Sequence, residues 1–585
     1  VNVPRLRIGS LLLVWGLACA CGPTSEGGEP SGDPLDGVPE AERVEAEAEA
    51  AAPALNEAIA IGLPQLPRKF DPLDDLEPWA MRISDDLLFE GLVRRTGDRY
   101  PWVEPAIADR CEVDREYAVA SITCHIPRGI RFHDGSELQV EDVVYSLTYW
   151  LDPRRSWIRS RHGLTNFKQV TVVDAPRGEG ERDVGRWVQI TLDKREPLAL
   201  EALAAVKIVP RNAHRGHETR FAQNPIGTGP MRMVSLGQDR IVLERFAEYR
   251  DPARVGAGKF MVRAIADGAE ALTALRRGEL HLLPEVSPVH VPVELGKPGM
   301  SGRFTAWLVS PPHYDLLLWN TRDGVQESLP LRRALHDALP LSALAREVYG
   351  APGMPAAAPV DLWEPTPIDL EALEDIKAGE PVRGGLLALP SLDDDAIALA
   401  GAATALDALD WPLVKGIRQR PNGWLRVTMT WDGHTGRPAT VVARVKAAWE
   451  AIGVVVPEAT AGWNYVLVLL REGDFKTAML HMGGHTDEDL YQLFHSRGSS
   501  NFSGVADEEL DRALTDYRGA PDRSARDAAK QRIAERLAAL RVVSILRAPA
   551  HVTLASRRLT GVEFVDDIPR LDRLGLIPDD IDWGS

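Results

Sequence analysis

An α/β chain of two or more domains is what this sequence predicts. Three observations carry that expectation. Short apolar runs suited to strands alternate with stretches whose apolar residues recur at helical spacing. The length, 585 residues, exceeds what a single hydrophobic core usually serves. With 44% apolar and 26% charged residues, the composition is that of a soluble globular protein. Such a chain can bury several cores without metals or disulfides.

The elements follow in order. Residues 59–63 (Ile-Ala-Ile-Gly-Leu) read as a first strand, and 83–92 as a helix on the spacing of Ile83, Leu87, Leu88 and Leu92. A helix is expected over 141–151, with Asp142 in its first turn, where the helix dipole favours an acid. Residues 187–192 alternate like a half-buried strand, and 316–319 form a continuous apolar run suited to a buried one. A long helix over 331–348 should break or kink at Pro340. Another helix over 441–452 should end at Gly453 and lead into a strand at 454–456. A late helix over 525–540 precedes the apolar run 542–546. Residues 353–395, rich in Pro, Ala and acids, are the least readable part, and no internal repeat is evident.

The N-terminus reads as an export signal. Arg5 and Arg7 precede a short apolar run over 11–18, followed by Leu17-Ala18-Cys19-Ala20-Cys21-Gly22. A run this short does not span a bilayer. A cysteine after small residues resembles a bacterial lipobox, with Cys21 the better fit and Cys19 its competitor for lipidation; the alternative is a soluble signal peptide with incidental cysteines. The expected signal is 1–21. Residues 22–57 then carry little that could be buried and read as a disordered acidic Ala/Glu/Pro linker, with transient helix over 40–52. Ten acidic residues over 26–57 face only Arg43, so much of the net charge of −18 is local. That charge argues against nucleic-acid and anionic-membrane binding. No other segment is long and apolar enough to cross a membrane, so the body is expected to be soluble, tethered through a lipid anchor alone.

Cys111 and Cys124 remain for the body. Export places them in an oxidising compartment. A hairpin turning near 115–118 would make them cross-strand neighbours, close enough for a disulfide. The spacing is not that of a redox-active C-x-x-C pair.

A series of blocks in order resembles the family 5 bacterial extracellular solute-binding proteins, which include peptide- and nickel-binding components of ABC importers. The blocks are Leu88-Phe89-Glu90-Gly91-Leu92, Phe132-His133-Asp134-Gly135 and residues 141–146 (Glu-Asp-Val-Val-Tyr-Ser). Then come Ile208-Val209-Pro210-Arg211, Asn224-Pro225-Ile226-Gly227-Thr228-Gly229-Pro230 and Leu243-Glu244-Arg245. Leu318-Trp319-Asn320-Thr321, Leu331-Arg332-Arg333-Ala334-Leu335 and Trp449-Glu450-Ala451-Ile452-Gly453-Val454 complete the series. The resemblance covers about 59–564, nearly the whole body. Read physically, most of these blocks serve the fold. Asp134-Gly135 is a tight-turn signal, and the glycines of Gly227-Thr228-Gly229 are expected to supply positive φ.

The resemblance implies a two-lobed periplasmic-binding-protein-like α/β fold with a satellite domain, closing on a ligand about a hinge. One lobe would take 58–73, 210–310 and 541–585, its satellite 74–209, and the second lobe 311–540, with two chain crossings as the hinge. In peptide-binding members a Gly-Trp-x-x-Asp block in the second lobe pairs its aspartate with the ligand's amino group. Here Met482 falls at the tryptophan and His485 at the aspartate, separated by Gly483 and Gly484; Asp487 is the alternative ammonium partner. Burying an ammonium without a carboxylate is costly, which weakens the expectation of ordinary free peptides. Trp463 matches a tryptophan that lines the pocket in such proteins. His481 and His485 are candidate metal ligands, although the glycines between them deny the helical i, i+4 geometry.

No G-x-S-x-G, H-E-x-x-H, Walker or dinucleotide motif is present, and no enzyme activity or cofactor is expected. The expected protein is a monomeric, extracytoplasmic, lipid-anchored receptor. It would bind a small molecule, a peptide or a peptide-like solute, and hand it to the permease subunits of an ABC importer. The alternatives are a diverged sensor or interaction lipoprotein that does not transport, and a nickel-chelate binder.

Overall fold

The computed structural model describes residues 58–74, 77–96, 101–114, 119–155, 159, 162–174, 186–286, 294–311, 313–322, 324–349, 353, 356–360, 364–374, 390–433, 436–483, 490–565 and 567–577. The expected export signal with Cys19 and Cys21 and the expected acidic linker, residues 1–57, lie outside them. None of the described helices is long and apolar enough to cross a membrane.

Strand β1 (Ile59–Leu63) is buried along its whole length. A strand with parallel neighbours is covered on both faces, which is why its sequence does not alternate. The chain leaves through α1 (Pro78–Ile83) and a π turn over Ser84–Leu88. The helix expected over 83–92 therefore starts earlier and stops at Leu88. Gly91 bridges Lys207 and the Glu90 carbonyl accepts from Ile208 N–H, so the backbone there is committed to extended pairing.

The satellite follows. β2 (Val93–Arg95) pairs with β3 (Val103–Pro105). β4 (Arg110–Val113), β5 (Val119–His125), β6 (Phe167–Val173) and β7 (Trp187–Glu196) form an antiparallel sheet in the order β4-β5-β7-β6. Cys111 and Cys124 are direct cross-strand partners and are disulfide-bonded, as the hairpin reading expects. Helix α2 (Val140–Trp150) starts with a reciprocal capping box between Gln139 and Asp142. Asp142 also accepts from Arg211 N–H (2.8 Å), and Ser146 Oγ accepts from Val209 N–H (3.0 Å). Two of the sequence blocks thus hold each other. α3 (Ala199–Leu203) closes the satellite.

The chain then adds β8 (Met231–Leu236), β9 (Arg240–Arg245) and β10 (Lys259–Ala264), α4 (Gly268–Arg276), β11 (Leu282–Val286) and β12 (Phe304–Val309). It crosses to β13 (His313–Trp319), then α5 (Leu329–Asp337). The long helix breaks before Pro340, which lacks an N–H and disfavours helix in the residue before it; a short helix Leu341–Ala343 and a π turn Leu344–Tyr349 follow. β14 (Thr366–Ile368) returns to pair with β12. Next come α6 (Leu392–Ala408) and a small sheet of β15 (Leu413–Val414), β16 (Ile417–Arg420) and β17 (Gly423–Trp424). β18 (Met429–Asp432), α7 (Gly436–Ala451), β19 (Glu458–Ala461), α8 (Trp463–Glu472) and β20 (Thr477–Gly483) follow. The last elements are α9 (Glu508–Arg518), α10 (Arg523–Leu540), β21 (Val543–Arg547) and β22 (His551–Ser556). The strand expected at 454–456 reduces to a single bridge between Arg426 and Val455.

Two main sheets result: β14-β12-β22-β11-β1-β10-β9-β8 and β19-β18-β20-β13-β21. Two expected boundaries change. Residues 366–368 fall inside the expected second lobe but lie in the first sheet, and 543–547 fall outside it but lie in the second. Among the described residues the chain therefore crosses four times: at β12–β13, out to β14, back to α6, and at β21–β22. Strand β13 shows how one apolar run serves two cores. Leu316 and Leu318 enter the core shared with α8, α9 and α10, while Leu317 and Trp319 enter that of α5, α6 and α7.

Three partly buried histidines should make stability pH-dependent. Burial pushes His133, His336 and His551 down to about 4. Two bonding patterns require the neutral form: His133 Nδ1 accepts from Gly227 N–H (3.2 Å), and His336 Nε2 accepts from Arg541 (3.2 Å). Between pH 6.5 and 4 the unfolded chain binds these protons and the folded one does not, so stability present above pH 6.5 is lost on acidification. Asp86 opposes this, because burial raises it to about 6 and the folded state takes its proton first. The three histidines together outweigh Asp86, so the balance of these four groups is a loss of stability on acidification. Denaturant midpoints at pH 7, 6 and 5 should fall steadily; a midpoint that rises on acidification would contradict these assignments.

Candidate functional site

Strands β18, β19 and β20 run parallel, so their carboxyl ends share one edge of the second sheet. β13 is antiparallel to β20 and β21, which brings its first residues and the end of β21 to that same edge. From there the chain continues through Ser310-Pro311 and Ala548-Pro549-Ala550 into β12 and β22 of the first sheet, and Ser310 Oγ donates to the Pro549 carbonyl at 3.0 Å. Parallel β1 and β11 likewise end on the side of the first sheet where β12 ends and β22 begins. The carboxyl ends of parallel strands are where α/β proteins open a ligand crevice.

Trp463 and Met482 both come to this edge. Gly462 caps α8, and Trp463 opens the helix with 48% of its surface exposed; Tyr465, at 60%, is exposed beside it. Val466 and Leu470 bury the opposite face of α8, so the exposed aromatics sit on a fixed helix. Met482 pairs with Tyr314 and packs half-buried against the shared core, and Gly483 ends β20 opposite His313. Gly484, His485 and Asp487 lie outside the described residues.

His481 is held by a partner the sequence reading missed. Its register mate is Asp315, whose Oδ1 is 2.8 Å from His481 Nδ1. A carboxylate only accepts, so Nδ1 carries the proton and Nε2 is the acceptor of the neutral ring. Tyr349 donates to Asp315 Oδ2 at 2.7 Å, and the Arg547 guanidinium lies 4.4 Å over the Tyr349 ring. Burial pushes the Asp315 carboxyl up, but the bonds from His481 and Tyr349 outweigh it and hold it below its ordinary range. The His313 ring stacks on that of His481, 5.9 Å between centres. The His481 side chain remains 63% exposed. One signal for this cluster was present in the sequence: Asp315 is a lone acid inside an apolar strand, and a buried acid needs partners. Among the described residues, no group of three His, Cys, Asp or Glu side chains is placed to hold a metal.

A family model described as bacterial extracellular solute-binding proteins, family 5 Middle, matches residues 103–504. Among solved structures, HbpA2 from Haemophilus parasuis aligns with a TM-score of 0.62 at 17% identity, over 89% of this chain and 99% of that one. The unliganded open form of MppA, a periplasmic murein tripeptide binding protein, aligns at 0.60 and 18%, over 89% and 98%. The oligopeptide-binding protein AppA from Bacillus subtilis, in complex with a nonapeptide, aligns at 0.54 and 18%, over 89% and 98%. At these identities the likeness is one of fold, the two-lobed binding-protein architecture. No curated protein sequence matches the chain.

Proposed function

Because the chain belongs to the family 5 bacterial extracellular solute-binding proteins, we propose that it binds a peptide or peptide-like solute between its two sheets and delivers it to the permease of an ABC importer. The observation that carries this reading is the shared edge, where exposed Trp463 and the Asp315-held His481 flank the strands that cross between the sheets. Trp463 offers a flat surface for an apolar or amide-containing group. Met482 and Gly483 form the floor, and His481 Nε2 makes the polar contact. Gly484 and His485 follow in sequence, and Asp487 is the ammonium partner. The protein acts as a monomeric receptor without catalysis, held outside the cytoplasmic membrane by a lipid on Cys21 or Cys19.

A thermal-shift panel of di- to hexapeptides, blocked peptides, sugars and Ni²⁺ with chelators tests this on the chain from Ala58 onward. A ligand at a hundred times its dissociation constant adds roughly 2.7 kcal/mol of stability. Peptide-dependent shifts support the reading, and silence across the panel removes it. A shift with the nickel chelate alone would favour metal-chelate binding, for which the exposed, Asp315-held imidazole of His481 is the motivating observation. For the best ligand, Trp463→Ala and His481→Ala should each weaken binding roughly tenfold, about the loss of one good contact. Trp463 is exposed, so without ligand its variant should change stability by only about 0.5 kcal/mol, whereas His481→Ala also strips the buried Asp315 of a partner and should cost about 1–3 kcal/mol. Titration calorimetry beside thermal melts separates the two effects.

A further inference from the structure

The satellite and the first sheet are one body. Ile122, Cys124 and Ile190 of the satellite share a continuous core with Ile59, Ile61 and Phe260 of the first sheet. Helix α10 belongs to the other body. It runs into β21, and Arg333 and Arg332 of α5 take its last carbonyls, at Ala539 (3.0 Å) and Leu540 (2.6 Å). The two bodies nonetheless meet away from the crossing strands.

At the start of α10, Arg526 reaches the satellite's Glu201 with both Nη atoms, at 3.2 and 3.1 Å. Its guanidinium lies 4.5 Å over the ring of Trp102 in the satellite and 4.8 Å from that of Tyr517 in α9. Arg518, at the end of α9, is 3.7 Å from Glu196 at the end of β7. All four charged side chains are only 10–13% exposed, so these are desolvated pairs rather than a surface veneer. Trp102 is 2% exposed and holds a left-handed backbone, φ 66°, a conformation that persists in a bulky residue only when its surroundings fix it. α10 has 18 residues and is about 27 Å long, anchored at its far end in the second sheet. A rotation of one body against the other that moves the start of α10 relative to the satellite breaks these contacts.

We propose that Glu196, Glu201 and Trp102 of the satellite and Arg518 and Arg526 of the second body form a clamp that sets the angle between the lobes. The satellite, which takes no part in the shared edge, thereby acquires a role: it makes the cost of moving the lobes depend on two buried ion pairs. The inference rests on the two-body architecture and not on the solute reading, so its test stands even if every ligand in the panel fails.

The test is an electron spin–spin distance measurement between labels on Lys168→Cys in the satellite and Glu472→Cys in α8, in the full chain with Cys19 and Cys21 changed to Ser. Without ligand, the parent should give one narrow distribution. Glu196→Gln/Glu201→Gln should broaden or displace it, and the exchanged pair Glu201→Arg/Arg526→Glu should return it towards the parent. Arg526→Gln, which keeps the aliphatic stem, is a second route to the same comparison should the double variant fold poorly. An unchanged distribution in a folded Gln variant overturns the clamp. So does broadening that the exchanged pair fails to reverse, because packing rather than charge would then hold the angle.

Discussion

Gly227→Ala is expected to leave little folded protein. A Cβ at this position would stand 1.9 Å from the Leu88 carbonyl oxygen and 2.7 Å from the Phe89 ring. Neither neighbour can yield. The Leu88 carbonyl is already bonded to Gly229 N–H at 3.0 Å, and Phe89 is 1% exposed within the core. On the other side of the loop, His133 takes the Gly227 N–H and reaches the Gly229 carbonyl, 3.0 Å from its Nε2. The loop is therefore pinned between two segments, and the added methyl group must displace backbone. Such overpacking belongs to the extreme of single substitutions, above about 4 kcal/mol. Gly135→Ala is the control. Gly135 has φ +83° but open space around its Cβ position, so only the conformational cost remains, about 1 kcal/mol. Soluble yield and urea midpoints of the two variants should separate sharply; midpoints within about 1 kcal/mol of each other would refute the close approach.

That contrast also shows where the sequence stops being informative. Positive φ was the expected reason for Gly227 and Gly229, and it is wrong for both: each is a glycine because another backbone passes against it. Positive φ is right for Gly135, whose turn is local. Other local patterns also transferred. The Cys111–Cys124 hairpin, helix α2 with its Asp142 cap and strand β13 all follow from neighbouring residues. The end of helical structure at Leu88 did not, because it is imposed by pairing with Lys207 and the approach of Gly229. β14 did not either, since a three-residue edge strand has no period to detect. At the candidate site, the resemblance led to Trp463, Met482 and Gly483. The Asp315 that holds His481 lies 166 residues away in sequence, and only the β13–β20 register joins them.

Glu90→Ala should carry the second largest cost, and the reason again lies in a block that reads as simple motif. Glu90 is 8% exposed and sits at the junction of the satellite with the first sheet. Its two oxygens accept from both Nη atoms of Arg250 at 2.7 Å each, from Tyr249 Oη at 3.0 Å and from Thr228 Oγ1 at 3.0 Å. Removing the carboxylate leaves Thr228 (1% exposed) and Tyr249 (7%) without this acceptor, and a guanidinium largely out of water. Breaking a buried pair from one side typically costs about 3–5 kcal/mol; Arg250 keeps 34% side-chain exposure, so the lower half of that range is expected. Glu90→Met/Arg250→Met should cost less than the sum of its single variants, since no charge is then stranded, and a double-mutant cycle in urea measures that coupling. A conformational consequence follows from the same geometry. The satellite can restrain the second lobe through Glu196 and Glu201 only while it is rigid against the first sheet. Glu90→Gln, which keeps the shape and removes the charge, should therefore broaden the interlobe distance distribution as Glu201→Gln does, although Glu90 touches neither Arg518 nor Arg526. A Glu90→Gln protein that loses stability but keeps a narrow distribution would show that the satellite's docking does not depend on this charge.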